Sequence, residues 1–179
     1  MFYCFLAEGF EEIEALATVD ILRRAGIGVK TVGVNGEYVT GNHNITVKAD
    51  MLLEDLVSFD DMKGVILPGG MPGVTNLDKP ELVKKAINYC IDNLLLVCAI
   101  CAAPSMLGRM GVLKNKEVTC YPGFEKELIG AKPTAQKCVV DGNFITAKGP
   151  GCAFDFANAI ICKAESEGVA KKVFDSMQV

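Results

Sequence analysis

The segment 94–104 constrains the fold more than any other part of the chain; it reads LLLVCAICAAP. Consecutive Leu and Val residues predict a strand that is buried on both faces, as in a parallel sheet. Pro104 then begins a segment compatible with a helix, because proline is tolerated in a first helical turn. A strand that enters a helix through a tight turn with a nucleophile at its apex is a nucleophile elbow, and the apex here is Cys101. We expect the unpaired N–H groups of that helix to favour the Cys101 thiolate.

Alternating strand and helix patterns fill the rest of the chain. We predict strands at 1–6, 27–34, 64–67, 94–100 and 116–120, hairpins at 39–47 and 139–147, helices at 11–25, 80–93, 105–110, 152–165 and 169–177, and short helices at 53–57 and 124–129. This alternation predicts a doubly wound, mostly parallel α/β sheet between helices. Functional sites in such sheets lie at the carboxyl ends of the strands, where 8–14, 68–73, Cys101 and 149–151 would meet.

The composition excludes several classes of protein. Half of the 179 residues are hydrophobic and 22% are charged, which is typical of one globular domain. A net charge of −4 provides no basic surface for nucleic acid. No apolar run is long enough to span a membrane, and the first residues lack the basic start of a signal peptide. We therefore expect a cytoplasmic protein without nucleic-acid or membrane partners.

Two further motifs could assist Cys101. Glycines directly after a strand, as in Pro68-Gly69-Gly70, allow backbone N–H groups to face a ligand and to form an oxyanion hole. Four acids at 8, 11, 12 and 14 begin the first helix; most should be solvated, but one could turn inward over Cys101. A carboxyl beside a thiolate in a closed pocket would have a raised pKa and could share a proton with the sulfur.

Other roles for the cysteines are less well supported. The eight cysteines lie mostly in apolar runs, which fits reduced thiols that fill the core. Cys98 and Cys101 form a C-x-x-C motif, but Cys98 falls inside the strand rather than in the turn that a redox pair needs. We expect no zinc site, because there is no second close cysteine pair and only one histidine, His43, which we place at the surface.

The motifs EGFEEIE (8–14), RRAG (23–26), LPGG (67–70), AICAAP (99–104) and KGPG (148–151) resemble the ThiJ/PfpI superfamily, and within it the branch of the parkinsonism-associated protein deglycase. The resemblance covers essentially the whole chain. It implies one flavodoxin-like domain over 1–179, related to class I glutamine amidotransferases, that forms a homodimer and needs no cofactor or metal.

The resemblance also assigns roles to residues. Cys101 matches the elbow cysteine and Glu14 the acid that contacts its sulfur, while Gly69, Gly70 and Ala102 match the backbone donors. Tyr121, Gly149 and Pro150 would line the pocket. Many members carry a histidine where this chain has Tyr121, and His43 matches no catalytic position, so a Cys–His protease is not supported.

Two functional interpretations remain at this stage. The first is a cofactor-independent glyoxalase or deglycase, in which Cys101 attacks a small reactive aldehyde or a glycated side chain and Glu14 moves the proton. The second is a redox-sensing stress protein or chaperone whose Cys101 is oxidised to sulfinic acid without turnover. An amidase or transferase on the same fold would need a base that the sequence does not contain.

Overall fold

The computed structural model describes residues 1–179. Its strands are β1 Phe2–Leu6, β2 Val29–Gly33, β3 Tyr38–Thr40, β4 Thr46–Lys48, β5 Met51–Leu52, β6 Gly64–Leu67, β7 Leu96–Ile100, β8 Glu117–Val118, β9 Lys132–Pro133, β10 Cys138–Asp141 and β11 Phe144–Ala147. Its α-helices are α1 Glu12–Arg24, α2 Gly73–Leu77, α3 Glu81–Asp92, α4 Ala103–Arg109, α5 Ala153–Ala164 and α6 Glu167–Ser176. Single 3-10 turns cover Leu53–Asp55, Glu125–Glu127 and Pro150–Cys152.

One seven-stranded sheet forms the centre of the molecule, in the order β10-β11-β7-β6-β1-β2-β5. All neighbouring strands are parallel except β10 and β11, which form the antiparallel hairpin at one edge. Every residue of β1, β6 and β11 is buried, because helices flank the sheet. The predicted doubly wound, flavodoxin-like α/β fold is therefore confirmed.

Helix α1 begins and ends as its sequence predicts. The Glu11 carboxylate caps its start by accepting a hydrogen bond from Glu14 N at 2.7 Å, and Arg23 and Arg24 occupy its last turn. The helix packs against α5 and against β1 and β2, while α3 packs against β6 and β7. None of the helices combines the length and the apolar character needed to cross a bilayer.

Several element boundaries differ from the predictions. Strand β7 begins at Leu96 rather than at residue 94, because Leu94 has a φ of +56° and is 81% exposed in the turn after α3. The strand predicted at 116–120 contains only Glu117–Val118, and both predicted short helices are single 3-10 turns. Helix α2 was missed because its start, Gly73, follows a run of prolines and glycines that resembles a simple turn.

The sheet brings the predicted motifs together. Strands β1, β6, β7 and β11 run in the same direction, so the segments that follow them lie at one edge. These are the segments 7–14, 68–73, 101–104 and 148–151. The parallel topology therefore assembles the candidate site from four separated parts of the chain.

Candidate active site

Cys101 occupies the apex of the predicted elbow. It has a φ of +65°, a left-handed conformation that costs a non-glycine residue about 1–2 kcal/mol. Its backbone is held on both sides: its N–H donates to Ala147 O at 2.8 Å, and its carbonyl accepts from Tyr121 N at 2.7 Å. Helix α4 follows two residues later, at Ala103. These bonds support a strained turn whose side chain is only 8% exposed.

The Glu14 carboxyl lies beside the Cys101 side chain and is completely buried. Its Oε2 accepts a hydrogen bond from Gly69 N at 2.7 Å, while Oε1 has no hydrogen-bond partner of standard geometry. The Gly69 carbonyl in turn accepts from Glu11 N at 3.0 Å, which joins the start of α1 to the turn after β6. A carboxyl in this position can exchange a proton with the neighbouring sulfur.

Only glycine fits at position 69. A Cβ built there would lie 2.6 Å from Cys101 Cβ and 2.7 Å from Glu14 Oε2, both closer than real Cβ contacts. The missing side chain is therefore what allows the elbow, the turn and the buried acid to meet.

Burial and mutual repulsion set the protonation of the Cys101–Glu14 pair. Burial raises the pKa of Glu14 from 4.5 to about 7, and the charge of Glu11 adds to this, while hydrogen bonds with Cys101 and Gly69 oppose it. Burial and the negative charge of Glu14 also raise the pKa of the Cys101 thiol. The Ala102 N–H group at the start of α4 does favour the thiolate, as the sequence predicts, but burial and the charge of Glu14 outweigh it. The thiol therefore holds its proton near neutral pH while Glu14 is close to its midpoint, and the two groups disfavour being ionised together.

The predicted backbone donors do not all have the same role. The Gly70 and Ala102 amides face the sulfur and favour its thiolate form, and neither amide has another backbone partner. The Gly69 amide is already bonded to Glu14, so Gly69 is not a free oxyanion donor as the sequence suggested. An anionic oxygen formed on a substrate at Cys101 would therefore be stabilised by Gly70 and Ala102.

Tyr121, Gly149 and Pro150 border a shallow cavity of about 270 Å³ next to the elbow, together with Pro122, Lys148, Gly151 and Cys152. Tyr121 is 46% exposed, and its ring lies against the Cα of Gly149, where a Cβ would come within 3.2 Å. The structure thus places all three predicted pocket residues together. Two backbone hydrogen bonds join this cavity wall to the elbow: Tyr121 N donates to Cys101 O, and Cys101 N donates to the carbonyl of Ala147, two residues before Gly149.

Cys98 points into the core from β7 and is completely buried, as expected for a strand residue. All eight cysteines are free.

Sequence reasoning missed a role for Glu11, which caps α1, holds the Gly69 turn and raises the pKa of Glu14. Its position just before the helix is the signal that could have indicated the cap. The group of side chains that could hold a metal is Glu11, Glu12 and His43.

Comparisons with known proteins identify the family of the chain. The family model described as the DJ-1/PfpI family matches residues 2–163. Protein dj-1beta of Drosophila melanogaster is 37% identical over 155 residues, which cover 85% of this chain and 82% of that protein. The solved structure of oxidized DJ-1 from Toxoplasma gondii superposes with a TM-score of 0.94 at 28% identity, covering 99% of this chain and 97% of the other.

Two relatives have names that state an activity. The glutathione-independent glyoxalase DJR-1.2 of Caenorhabditis elegans is 32% identical over 86% of this chain and 82% of that protein. A deglycase of Pyrococcus abyssi is 31% identical over 81% of this chain and 87% of that protein. The elbow, the buried acid and the matches over nearly the whole length lead to one conclusion: the chain belongs to the DJ-1/PfpI family.

Proposed function

We propose that this protein is a cofactor-independent enzyme that acts on small reactive carbonyls, of the glyoxalase or deglycase type. The observation that carries the proposal is the buried Glu14 carboxyl beside Cys101. Burial raises the pKa of Glu14 to about 7, which suits a group that both accepts and donates protons at neutral pH. The names of the Caenorhabditis elegans and Pyrococcus abyssi relatives support the same chemistry.

The first half of the reaction is thiol addition to an aldehyde such as that of methylglyoxal. Glu14 takes the thiol proton, and the Cys101 sulfur attacks the aldehyde carbon to form a C–S bond. The carbonyl π-electrons move to the oxygen, which the Gly70 and Ala102 N–H groups stabilise. Glu14 then returns the proton to this oxygen, giving a hemithioacetal and regenerating its own carboxylate.

The second half moves one proton between neighbouring carbons. Glu14 removes the proton from the carbon that carries sulfur, and the electrons form a C=C bond while the neighbouring ketone oxygen becomes an enediolate. The hydroxyl proton of the hemithioacetal moves to that oxygen. The C=O bond of the thioester then forms as the C=C electrons take the proton from Glu14 at the adjacent carbon. The product is a thioester of Cys101, which water hydrolyses to lactate and the free thiol. Every step uses side chains of this protein and water, so the proposal includes no cofactor. On a glycated side chain, the Cys101 sulfur would form a bond to the hemiaminal or hemithioacetal carbon while the bond from that carbon to the amine or thiol breaks. Glu14 would give the departing group the proton taken from Cys101, and the resulting Cys101 hemithioacetal would follow the same steps.

The experiment compares the loss of methylglyoxal, with D- and L-lactate measured separately, for the wild type, Cys101→Ala and Glu14→Gln. We expect turnover in the wild type, none in Cys101→Ala, and a decrease of about 10²–10⁴-fold in Glu14→Gln because the proton carrier is lost. Cys162→Ala is the matched thiol control, since Cys162 lies on α5 outside the site and is half-buried.

Two results would contradict the enzyme proposal. One is the absence of lactate from the wild-type protein. The other is a rate that persists in Cys101→Ala, because free amines and thiols react slowly with methylglyoxal without any catalytic site. A rate lost equally in Cys162→Ala would point to general damage from thiol removal rather than to Cys101.

A redox sensor is the second candidate function. Its supporting observation is that the Gly70 and Ala102 amides face the sulfur without other backbone partners, so they could also bind the oxygens of an oxidised cysteine. The reaction consumes two equivalents of peroxide: the thiolate becomes a sulfenate and then a sulfinate, and each peroxide becomes water. Mass spectrometry should then find two added oxygens selectively on Cys101, with no lactate formed by the reduced protein.

We also propose that two copies of the chain form a homodimer, as the family resemblance implies. Ile13 on α1 and Ile45 in the β3–β4 loop are 54% and 53% exposed, which fits contact with another protein surface. Light scattering on the eluting protein should give twice the mass of one chain. A single-chain mass at micromolar concentration would contradict a stable dimer.

A further inference from the structure

Two lysines lie directly opposite each other where the β10–β11 hairpin ends. Lys148 N donates a hydrogen bond to Lys137 O at 3.0 Å, which continues the antiparallel ladder one step beyond the pair of Cys138 and Ala147. Side chains directly opposite each other in such a ladder share one face, with Cβ atoms about 4.5–5.5 Å apart. We call Lys137 and Lys148 the lysine pair.

Neither member of the lysine pair has an acidic partner. No carboxylate oxygen lies within 4.0 Å of either ammonium group. By contrast, Lys116, which lies over the Phe144 ring at the other end of the hairpin, is paired with Asp141 at 3.2 Å. Like charges directly opposite each other destabilise a sheet, and a bound anion would offset this repulsion.

The lysine pair lies on the face of the hairpin that is turned away from α5. Helix α5 packs on the face that carries Cys138 and Ala147. On the other face, Thr146 Oγ1 accepts a hydrogen bond from Thr119 N at 3.0 Å, and Lys148 follows two residues later, so its side chain leaves from that same face. This face therefore meets the segment after β8. The surface that we assign to the second copy lies instead on α1 and the β3–β4 loop.

The cavity of about 270 Å³ joins the lysine pair to the elbow. The half-buried Lys148 borders this cavity together with Tyr121. Lys148 directly follows Ala147, whose carbonyl accepts a hydrogen bond from Cys101 N at 2.8 Å. Because one water occupies about 30 Å³, the cavity has room for a carbonyl compound longer than methylglyoxal.

We propose that the lysine pair binds the anionic end of a 2-oxoaldehyde longer than methylglyoxal, while the aldehyde end reaches Cys101. This specificity rests on the proposed carbonyl function. The reaction is the one described above: the aldehyde carbon is oxidised, the neighbouring ketone carbon is reduced, the product is a 2-hydroxy acid, and the anionic end is unchanged. A terminal carboxylate and a terminal phosphate present similar negative oxygens to two ammonium groups, so the ligand class is a 2-oxoaldehyde that carries either group.

The first measurement uses 4,5-dioxopentanoate, a 2-oxoaldehyde with a terminal carboxylate, and its neutral methyl ester. We expect kcat/KM for the acid to exceed that for the ester by at least about fivefold in the wild type at low salt, because only the acid pairs with the ammonium groups. This ratio should fall to about one in the double variant Lys137→Gln/Lys148→Gln. Lys172→Gln removes an exposed lysine of α6, so it is the matched charge control and should keep the wild-type ratio.

The second measurement does not depend on turnover. Propionate, for a carboxylate end, or inorganic phosphate, for a phosphate end, should slow the alkylation of Cys101 by iodoacetamide at least about twofold at constant ionic strength. This protection should be present in the wild type and Lys172→Gln and absent from the double variant. In urea unfolding the double variant should be at least as stable as the wild type, because it loses the repulsion between the two lysines.

The outcomes separate the two possible anionic ends and the two proposals. A preference for the acid that requires the lysine pair assigns a carboxylate end, and protection by phosphate alone assigns a phosphate end. The proposal is overturned if neither anion protects Cys101, if protection is undiminished in the double variant, or if a preference for the acid survives there. If no carbonyl compound is turned over but an anion still protects Cys101 through the lysine pair, the carbonyl function fails and the anion site stands.

Discussion

The buried carboxyl of Glu14 leads to a quantitative prediction about stability and pH. Its pKa is raised from 4.5 to about 7 in the folded protein. Between these values the folded state holds a proton that the unfolded state has released, so the free energy of unfolding falls as pH rises. Between the two pKa values, each pH unit lowers the free energy of unfolding by about 1.36 kcal/mol. The whole interval of about 2.5 units lowers it by about 3 kcal/mol. This penalty is complete above pH 7.

Replacing Glu14 with Gln removes this titration while keeping the shape and an acceptor for Gly69 N. Urea unfolding of both proteins at a series of pH values from about 4 to 8 measures the effect. We expect the stability of Glu14→Gln relative to the wild type to increase by about 3 kcal/mol across that range. A difference that stays constant with pH would refute the raised pKa. A difference that changes in the opposite direction would mean that the carboxylate, not the acid, is stabilised by the fold.

Three other predictions concern the same site. Gly69→Ala should destabilise the protein by about 1–3 kcal/mol in urea unfolding and abolish selective alkylation of Cys101, since the new Cβ would lie 2.6 Å from Cys101 Cβ; a stable, fully reactive variant would contradict the close packing. Cys101→Gly should be more stable than Cys101→Ala by about 1 kcal/mol, because glycine adopts the φ of +65° without strain; equal stabilities would show that the elbow relaxes. Glu14→Gln should lower the pKa of the Cys101 thiol by removing a neighbouring negative charge, so the midpoint of the pH profile of Cys101 alkylation should move to lower pH. An unchanged profile would show that burial alone controls the pKa of the sulfur.

Local patterns in the sequence were enough to predict the layers of the fold. The apolar run before Cys101 indicated a central strand, and β7 does lie between β6 and β11. The acids and arginines at the two ends of α1 indicated that helix almost to the residue. These predictions depend on periodicity and capping, which neighbouring residues determine. Short elements such as β5 and β9 left no such pattern, because two residues are too few to show a period.

The candidate site was predictable only in part. Motifs placed Cys101, Glu14 and the pocket residues at one edge of the sheet, since parallel strands bring their carboxyl ends together. They could not show that the Gly69 amide is occupied by Glu14, or that burial and the charge of Glu14 raise the pKa of Cys101. Both results depend on distances between segments that are far apart in the chain.

The sequence by itself determined the alternation of strands and helices, the elbow cysteine and the acids at the start of α1, because each is a property of adjacent residues. Adjacent residues left open which acid faces the sulfur, and the family resemblance named Glu14. Only the tertiary structure decided which amides remain free and that His43 meets Glu11 and Glu12. The physical reason is that hydrogen bonding, burial and charge coupling are set by separations of a few ångströms. Chain segments more than thirty residues apart reach such separations only when the sheet has assembled.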